Sequence, residues 1–375
     1  MKTIIYADHA ATTRLSDKAF EAMLPWLKEE YGNPSQLYSF SRKPKKAIAE
    51  ARESIAACIG AQPEEIFFTS GGTESDNWAI KGTALSCGRV GALLVSAFEH
   101  HAVLRSSEAI EKAGWSVKHI SPSTEGIVSS EALLEHLTAR TAMVSVMTAN
   151  NEIGTIQPIQ QLATLAHSHQ AIFHTDAVQA VGHIPVDVNE LGVDMLSASA
   201  HKFNGPKGVG FLYIRKGAGI TPHENGGAQE SGMRAGTENV AGIVGMAVAL
   251  QEHCETMETE MLHLHSLTEE LVKRMQDIPY VLHGEKQERL PGFLSLAFPG
   301  FEGEALLHRL DLMGIAISTG SACDSKRTVI SHVLQSMHVP EEIARSTIRI
   351  SLGVENTLAD VDGISSALHR ILKRG

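Results

Sequence analysis

Short, mostly apolar runs recur through the first part of the chain, at residues 65–69, 92–96, 142–147, 171–174, 195–199 and 209–214. Helix-like segments with apolar residues at helical spacing separate them, as at 46–59, 131–138 and 159–169. Strands that are apolar on both faces belong to sheets covered on both faces, and parallel strands joined by helices produce that pattern. The expectation is therefore an α/β domain with a mainly parallel sheet. Polar clusters follow most of these strands: GGTES, EHH, ANNE, DAVQ and AHK. In open α/β sheets ligands bind beyond the carboxyl ends of the strands, so these clusters are expected to face one crevice.

The texture changes after about residue 256. A long polar helix over 258–277 leads to a strand at 294–298, a helix at 304–313, strands at 316–318 and 346–351, and a final helix. This part reads as a smaller α+β domain joined by the N-terminal segment around residues 4–7. The expected division is a large α/β domain over 16–258, with 1–15 and 259–375 forming the small domain. A chain of 375 residues is long enough for two domains.

Composition excludes several classes. Thirty-two basic residues stand against 43 acidic ones, a formal charge of −11, and no basic block stands out, so nucleic acid is not expected as a direct partner. The longest apolar run, 240–250, falls short of the roughly 20 residues that span a bilayer. Asp8 and His9 interrupt the N-terminus where a signal peptide needs an apolar stretch. The reading is a cytoplasmic protein without membrane contact. The four cysteines, Cys58, Cys87, Cys254 and Cys323, form no C-x-x-C pair, which argues against a disulfide framework or a structural zinc site. No resident metal is expected.

Several constellations carry chemistry. Ser70-Gly71-Gly72-Thr73-Glu74-Ser75 follows a strand and opens a helix, where free N–H groups attract anions. On its own it reads first as a glycine turn with a capping residue. Asp176 ends the run AIFHT, with Gln179 three residues on. An acid there either holds a cationic ring nitrogen or caps the next helix. Lys202, in Ser199-Ala200-His201-Lys202, suits a Schiff-base lysine if buried, and a solvated loop lysine otherwise. Together the anion cradle, the acid and the late lysine match the phosphate, ring nitrogen and aldehyde of pyridoxal phosphate.

His100 in EHH suits ring stacking and proton transfer, or a helix cap. Asn150 and Asn151 offer a polar amide or a turn. Cys323, in STGSACDS, sits among small polar residues that would expose a nucleophilic thiol, whereas Cys58 in an amphipathic helix reads as inert. Arg349, inside the apolar run TIRIS, needs an anion: a structural carboxylate or a substrate's.

With these motifs in place, the sequence resembles the NifS-like cysteine desulfurases, in the fold-type I group of pyridoxal-phosphate enzymes. The resemblance runs almost end to end through YADHAATT, YGNPS, FTSGGTESDN, EHHAVL, NNEIGTIQP, DAVQAVG, SAHKFNGPKGVG, MRAGTENV, GEALL, STGSACDS and STIRISLG. It implies a fold-type I transferase with pyridoxal 5'-phosphate on Lys202. Asp176 would pair with the ring nitrogen, His100 would stack on the ring, and Gln179 would meet its hydroxyl. Gly72, Thr73, Ser199 and His201 would hold the phosphate, with Thr237 reaching in from a partner subunit of a homodimer. Asn151, by the cofactor, and Arg349 would bind the substrate carboxylate. Cys323 would attack the sulfur of L-cysteine, leaving alanine and a protein persulfide for an acceptor protein in iron–sulfur cluster assembly or tRNA or cofactor thiolation. Cys323 is also the residue through which a cluster would bind transiently.

The sequence departs from the family pattern in places. Gln36, Tyr38 and Ser41 replace a serine, a histidine and a glycine in GNPSQLYSFS, and LPGF carries Gly292 and Phe293 where the family writes asparagine at the third position. The chain ends at Gly375, soon after its last helix, and is expected to lack the extended tail with which housekeeping members dock a scaffold, which leaves the acceptor open. A class V aminotransferase needs no nucleophilic cysteine. A selenocysteine lyase would have much the same site. A non-catalytic scaffold of the same fold would be expected to lack Lys202 or Cys323.

Overall fold

The structure is a computed structural model, and it describes residues 4–88, 90–320 and 330–373. Among these residues twelve strands form three sheets. The strands are β1 (Ile5–Tyr6), β2 (Ile66–Thr69), β3 (Ala92–Ser96), β4 (Ser116–Ile120), β5 (Thr141–Ser145) and β6 (Ile172–Asp176). They continue with β7 (Met195–Ser199), β8 (Gly210–Ile214), β9 (Val281–Leu282), β10 (Phe293–Ala297), β11 (Ile315–Ala316) and β12 (Thr347–Ser351). The large sheet has the order β2-β8-β7-β6-β5-β3-β4, parallel except that β8 runs against both its neighbours. The sheet is mainly parallel, as the apolar runs predict.

Alternate side chains of the large sheet go to opposite cores. Leu94, Leu196 and Phe211 enter one apolar cluster, while Leu93, Val95, Met195 and Leu212 enter another with Trp78. Both faces are thus covered, which is why these strands lack polar alternation. At the edge, β4 is different: Ser116, Lys118 and His119 are exposed, and the sequence reading did not single it out. The small antiparallel sheet β12-β10-β9 packs Leu294, Leu296, Ile348 and Ile350 against the final helix, Leu358–Leu372.

The first four α-helices are α1 (Asp17–Lys28), α2 (Arg42–Cys58), α3 (Gly72–Ser86) and α4 (His101–Lys112). The long helix expected from residue 258 starts much earlier, and runs Val240–Arg274. Its first half supplies Ile243, Met246 and Leu250 to the large-sheet core, and its second half supplies Leu264, Leu267 and Leu271 to the small one. The first half is apolar nearly all round because it is buried nearly all round, so no helical period marks it.

The N-terminal segment ties the ends of the chain together. β1 pairs in parallel with β11, Ile5 opposite Ile315, and Asp8 bridges to Ser351. Gly292, one of the departures from the family pattern, has φ +82, and a Cβ there would lie 2.7 Å from the Leu352 carbonyl oxygen, so the tight turn before β10 accepts glycine and rejects a side chain.

Candidate active site

A cavity of about 520 Å³ opens at the carboxyl ends of the large sheet, where β6 and β7 deliver Asp176 and Ser199. Its lining includes Gly72, Thr73, His100, Asn151, Asp176, Gln179, Ser199, His201, Lys202 and Arg349. Thr237 is not among the lining residues; it lies exposed just before the helix Val240–Arg274. Cys323 lies outside the described residues, although Gly320, which leads toward it, lines the cavity.

The floor is built first by backbone geometry. Gly71, the N-cap of α3, has φ +145, and a Cβ on Gly72 would lie 2.6 Å from Val178 Cγ2. Glycine alone lets β2 turn directly into α3 with the helix's first N–H groups facing the cavity. Ser199 Oγ lies beside this turn, 3.4 Å from where a Cβ on Gly71 would stand. The arrangement is an anion cradle of backbone donors flanked by hydroxyls.

Lys202 lies in the short turn Ala200–Lys202 just past β7, and Nζ donates to the carbonyl oxygens of Ala10 (2.6 Å) and Ala11 (2.8 Å). Gln179 Nε2 donates to the same Ala10 oxygen at 2.9 Å. His201 Nδ1 lies 3.1 Å from Thr12 Oγ1, and burial followed by the charges of Lys202 and Lys207 lowers its pKa to about 4. The segment Ala10–Thr12 is therefore part of the site. The motif YADHAATT signals it, but sequence reasoning assigned none of its residues a role.

Asp176 is buried, and its Oδ1 accepts the Val178 N–H at 2.9 Å, so it does cap the next turn while it lines the cavity. Burial raises its pKa to about 6, against the opposing effects of that N–H and of Lys202. His100 caps α4: Nδ1 accepts the Ala102 N–H at 3.1 Å, which leaves the ring proton on Nε2. Burial, then the charges of Lys202, His101 and His332, lower His100 to about 4, so the ring is neutral at physiological pH. The two asparagines divide their roles. Asn150 Oδ1 accepts from the N–H groups of Glu152 and Ile153 in a turn, whereas Asn151 faces the cavity with a buried Oδ1 that has no partner among the described residues.

Arg349 projects from β12 across the cavity. Its guanidinium donates to Asp8 Oδ1 at 2.6 Å and to the Asn151 carbonyl at 2.7 Å, and its buried Nε has no partner among the described residues. A structural carboxylate does meet this arginine, and donor capacity remains. Asp8 is a further site residue that the sequence reading missed.

A model of the Aminotransferase class-V family matches residues 5–364. The chain belongs to that family. Relatives of this class-V protein include the cysteine desulfurase IscS of Dictyoglomus turgidum, 48% identical over 100% of this chain and 96% of the relative. The cysteine desulfurase IscS of Methanosarcina thermophila is 45% identical over 99% and 92% of the two chains. Among solved structures, a NifS-like protein superposes with a TM-score of 0.94 at 38% identity over all of both chains. The fold is thus that of the NifS-like, fold-type I enzymes, which carry pyridoxal phosphate.

The class-V chain fits that cofactor on its own geometry. A cradle that a Cβ would fill suits a phosphate, Asp176 offers a buried carboxylate to a cationic nitrogen, and Lys202 offers an amine in the same cavity. The family match alone covers transaminases too, whereas the full-length relatives at 45–48% identity are cysteine desulfurases.

Proposed function

We propose that this protein is a cysteine desulfurase that converts L-cysteine to L-alanine and passes the sulfur to an acceptor protein. What carries the reading is the full-length identity to cysteine desulfurases together with one cavity that holds a lysine, a buried acid and an unsaturated arginine. Gly72, Thr73, Ser199 and His201 would hold the phosphate of pyridoxal 5'-phosphate, Asp176 its ring nitrogen, Gln179 its hydroxyl and His100 the ring face. When bound, the cofactor supplies an electron sink that acidifies the substrate's Cα–H and makes its sulfur electrophilic.

The chain's own residues do the rest. Arg349 binds the substrate carboxylate through the donor capacity that Asp8 leaves open, and the Asn151 amide adds a second polar contact. Lys202 Nζ, released from the Ala10 and Ala11 carbonyls, takes the Cα proton. The neutral His100, with its proton on Nε2, is suited to proton traffic near the reacting sulfur. The Cys323 thiolate attacks that sulfur: an S–S bond forms, the substrate C–S bond breaks, and protonation of carbon completes alanine. The enzyme keeps the sulfur as a persulfide on Cys323 and delivers it to an iron–sulfur scaffold or a thiolation enzyme. The same thiol is the place where a cluster would bind transiently.

We read the large unit as 16–258 and the small unit as 1–15 and 259–375; the cluster of Leu264, Leu294, Ile348 and Leu368 fits that division, while Leu290, Phe293, Val333 and Leu334 pack into the large-sheet core across it. A homodimer fits the apolar side chains exposed on and after α1, among them Phe20, Leu24, Leu27, Tyr31, Leu37 and Phe40, with Thr237 donated to the neighbouring phosphate site. No helix among the described residues is long and apolar enough to cross a membrane, and we place the enzyme in the cytoplasm.

The test is alanine release from L-cysteine under reductant, for wild type and Cys323→Ala together. Wild type is expected to release alanine and sulfide, and Cys323→Ala to bind the cofactor yet release none. A wild type that binds the cofactor without releasing alanine sinks the reading.

A further inference from the structure

Below the cavity floor lies a carboxyl with no part in the chemistry proposed for the site. Asp76 sits on α3, one turn inside the helix, and its side chain lines the cavity although it is only 1% exposed. Neither of its oxygens makes a hydrogen bond of ordinary geometry among the described residues, although the Ser197 hydroxyl stands near enough to favour its ionised form. A ligating atom of Asp76, one of Asp176 and a ring nitrogen of His100 all lie within 4.8 Å of one another.

The groups around Asp76 leave it no counter-charge. From β6, His174 Nε2 comes within 3.7 Å of Asp76 Oδ1, but the two His174 nitrogens are engaged by Ser145 Oγ and Ser197 Oγ, and burial lowers its pKa to about 3. From α4, His100 is neutral, held so by burial and the charges around it. From the loop after β3, Glu99 is itself fully buried, and burial raises it to about 8. Lys202 favours the ionised form of Asp176, which also accepts a backbone N–H. On α3 itself, Glu74 is occupied by Arg234 at 2.9 Å. Two carboxyls this close in a dry site do not both ionise, and the one with an N–H donor and a nearby ammonium gives up its proton first.

We propose that Asp76 is held as a neutral carboxylic acid, a positioning residue that leaves Asp176 the single anion presented to the cofactor's ring nitrogen. This rests on the proposed pairing of Asp176 with that nitrogen. Burial, and the negative charges of Asp176 and Glu99, push Asp76 well above the usual carboxylate range against the opposing Ser197 hydroxyl, in agreement with the geometry. A second ionised carboxylate would repel the first and draw the proton from the Nζ–cofactor side of the site. A neutral acid completes the floor without doing so.

The test uses the full-length apoprotein titrated with pyridoxal phosphate, followed by visible absorbance, for wild type, Asp76→Asn and Asp176→Asn. A lost buried charge pair should weaken cofactor binding by about 10²-fold in Asp176→Asn. An isostere of a neutral acid should stay within about threefold of wild type in Asp76→Asn. If Asp76→Asn falls as far as Asp176→Asn, Asp76 carries charge and the inference is overturned. If Asp176→Asn binds normally, the role of Asp176 fails instead.

A second measurement reads Asp76 directly and does not depend on that role. Infrared spectra of wild type carrying aspartate labelled with carbon-13 at its side-chain carboxyl should show a protonated-acid C=O band at pH 7. The label separates that band from Glu99. The band should persist in Asp176→Asn and vanish in Asp76→Asn. Its absence from wild type overturns the inference even if Asp76→Asn does not fold.

Discussion

On the side of the cavity built by β12 and the N-terminal segment, Arg349 meets Asp8 at 2.6 Å and the Asn151 carbonyl at 2.7 Å. On the side built by α3 and the ends of β3 and β6, Asp76, Glu99 and Asp176 crowd together with oxygens of Asp76 and Glu99 left unpaired among the described residues. Both sides are buried, so both had to solve the cost of charge in a dry place. The arginine side solves it by pairing, because a guanidinium cannot be deprotonated. The acidic side solves it by holding protons, which carboxyls can do. The first keeps a fixed charge suited to gripping a carboxylate. The second leaves one ionised group among several, and so a site tuned by pH.

Lys202→Ala removes the proposed base, the amine held by the Ala10 and Ala11 carbonyls, and should cut alanine formation by about 10³-fold or more, within the range for a lost general base. The same variant should bind the cofactor without the absorbance change that covalent capture by Nζ produces. Arg349→Ala leaves Asp8 unpaired and should raise KM for cysteine about 30-fold or more, with a smaller change in kcat. A KM that stays at the wild-type value would mean that Arg349 serves Asp8 alone. Gly72→Ala places a Cβ 2.6 Å from Val178 Cγ2, so cofactor affinity should fall by roughly 5- to 160-fold, the scale of an overpacked contact of about 1–3 kcal/mol.

The smallest expected effect concerns pH and stability. Glu99 titrates near 8 in the folded protein, raised by burial, against an ordinary value of 4.5. Between those two values the folded state holds more protons at this site than the unfolded chain does. The stability tied to Glu99 is therefore present in full below about 4.5 and is lost as pH rises through 8. Glu99→Gln should remove that slope: its Tm relative to wild type should climb from pH 5.5 to pH 8. A constant difference across that range would show that Glu99 is ionised throughout. The buried histidines act on the other side, since His100 and His174 are lowered to about 4 and 3 and cost stability as pH falls below 6.5.

Much of the large sheet could be read in the sequence because its strands are apolar on both faces and each ends in polar residues that the chain cannot bury elsewhere. The residues lining the cavity from those ends, Asp176, Ser199 and Lys202 among them, were legible for the same reason. What escaped was set by long-range contacts. β4 is a polar edge strand with no apolar run, and the first half of the helix Val240–Arg274 is buried too completely to show a period. Asp8 and the Ala10–Ala11 carbonyls act through residues near 202 and 349, a pairing that no local pattern encodes. Asp76 was hidden by its neighbours, because an acid within TESDN on a helix reads as solvated.

That long-range closure bears on how the protein is made. Asp176 and Lys202 leave the ribosome well before β12, so the Ala10 and Ala11 carbonyls can meet Lys202 early, whereas Asp8 waits for its guanidinium partner until Arg349 emerges. A nascent chain can therefore hold the cofactor-facing half of the site while the substrate-gripping half is still unsynthesised.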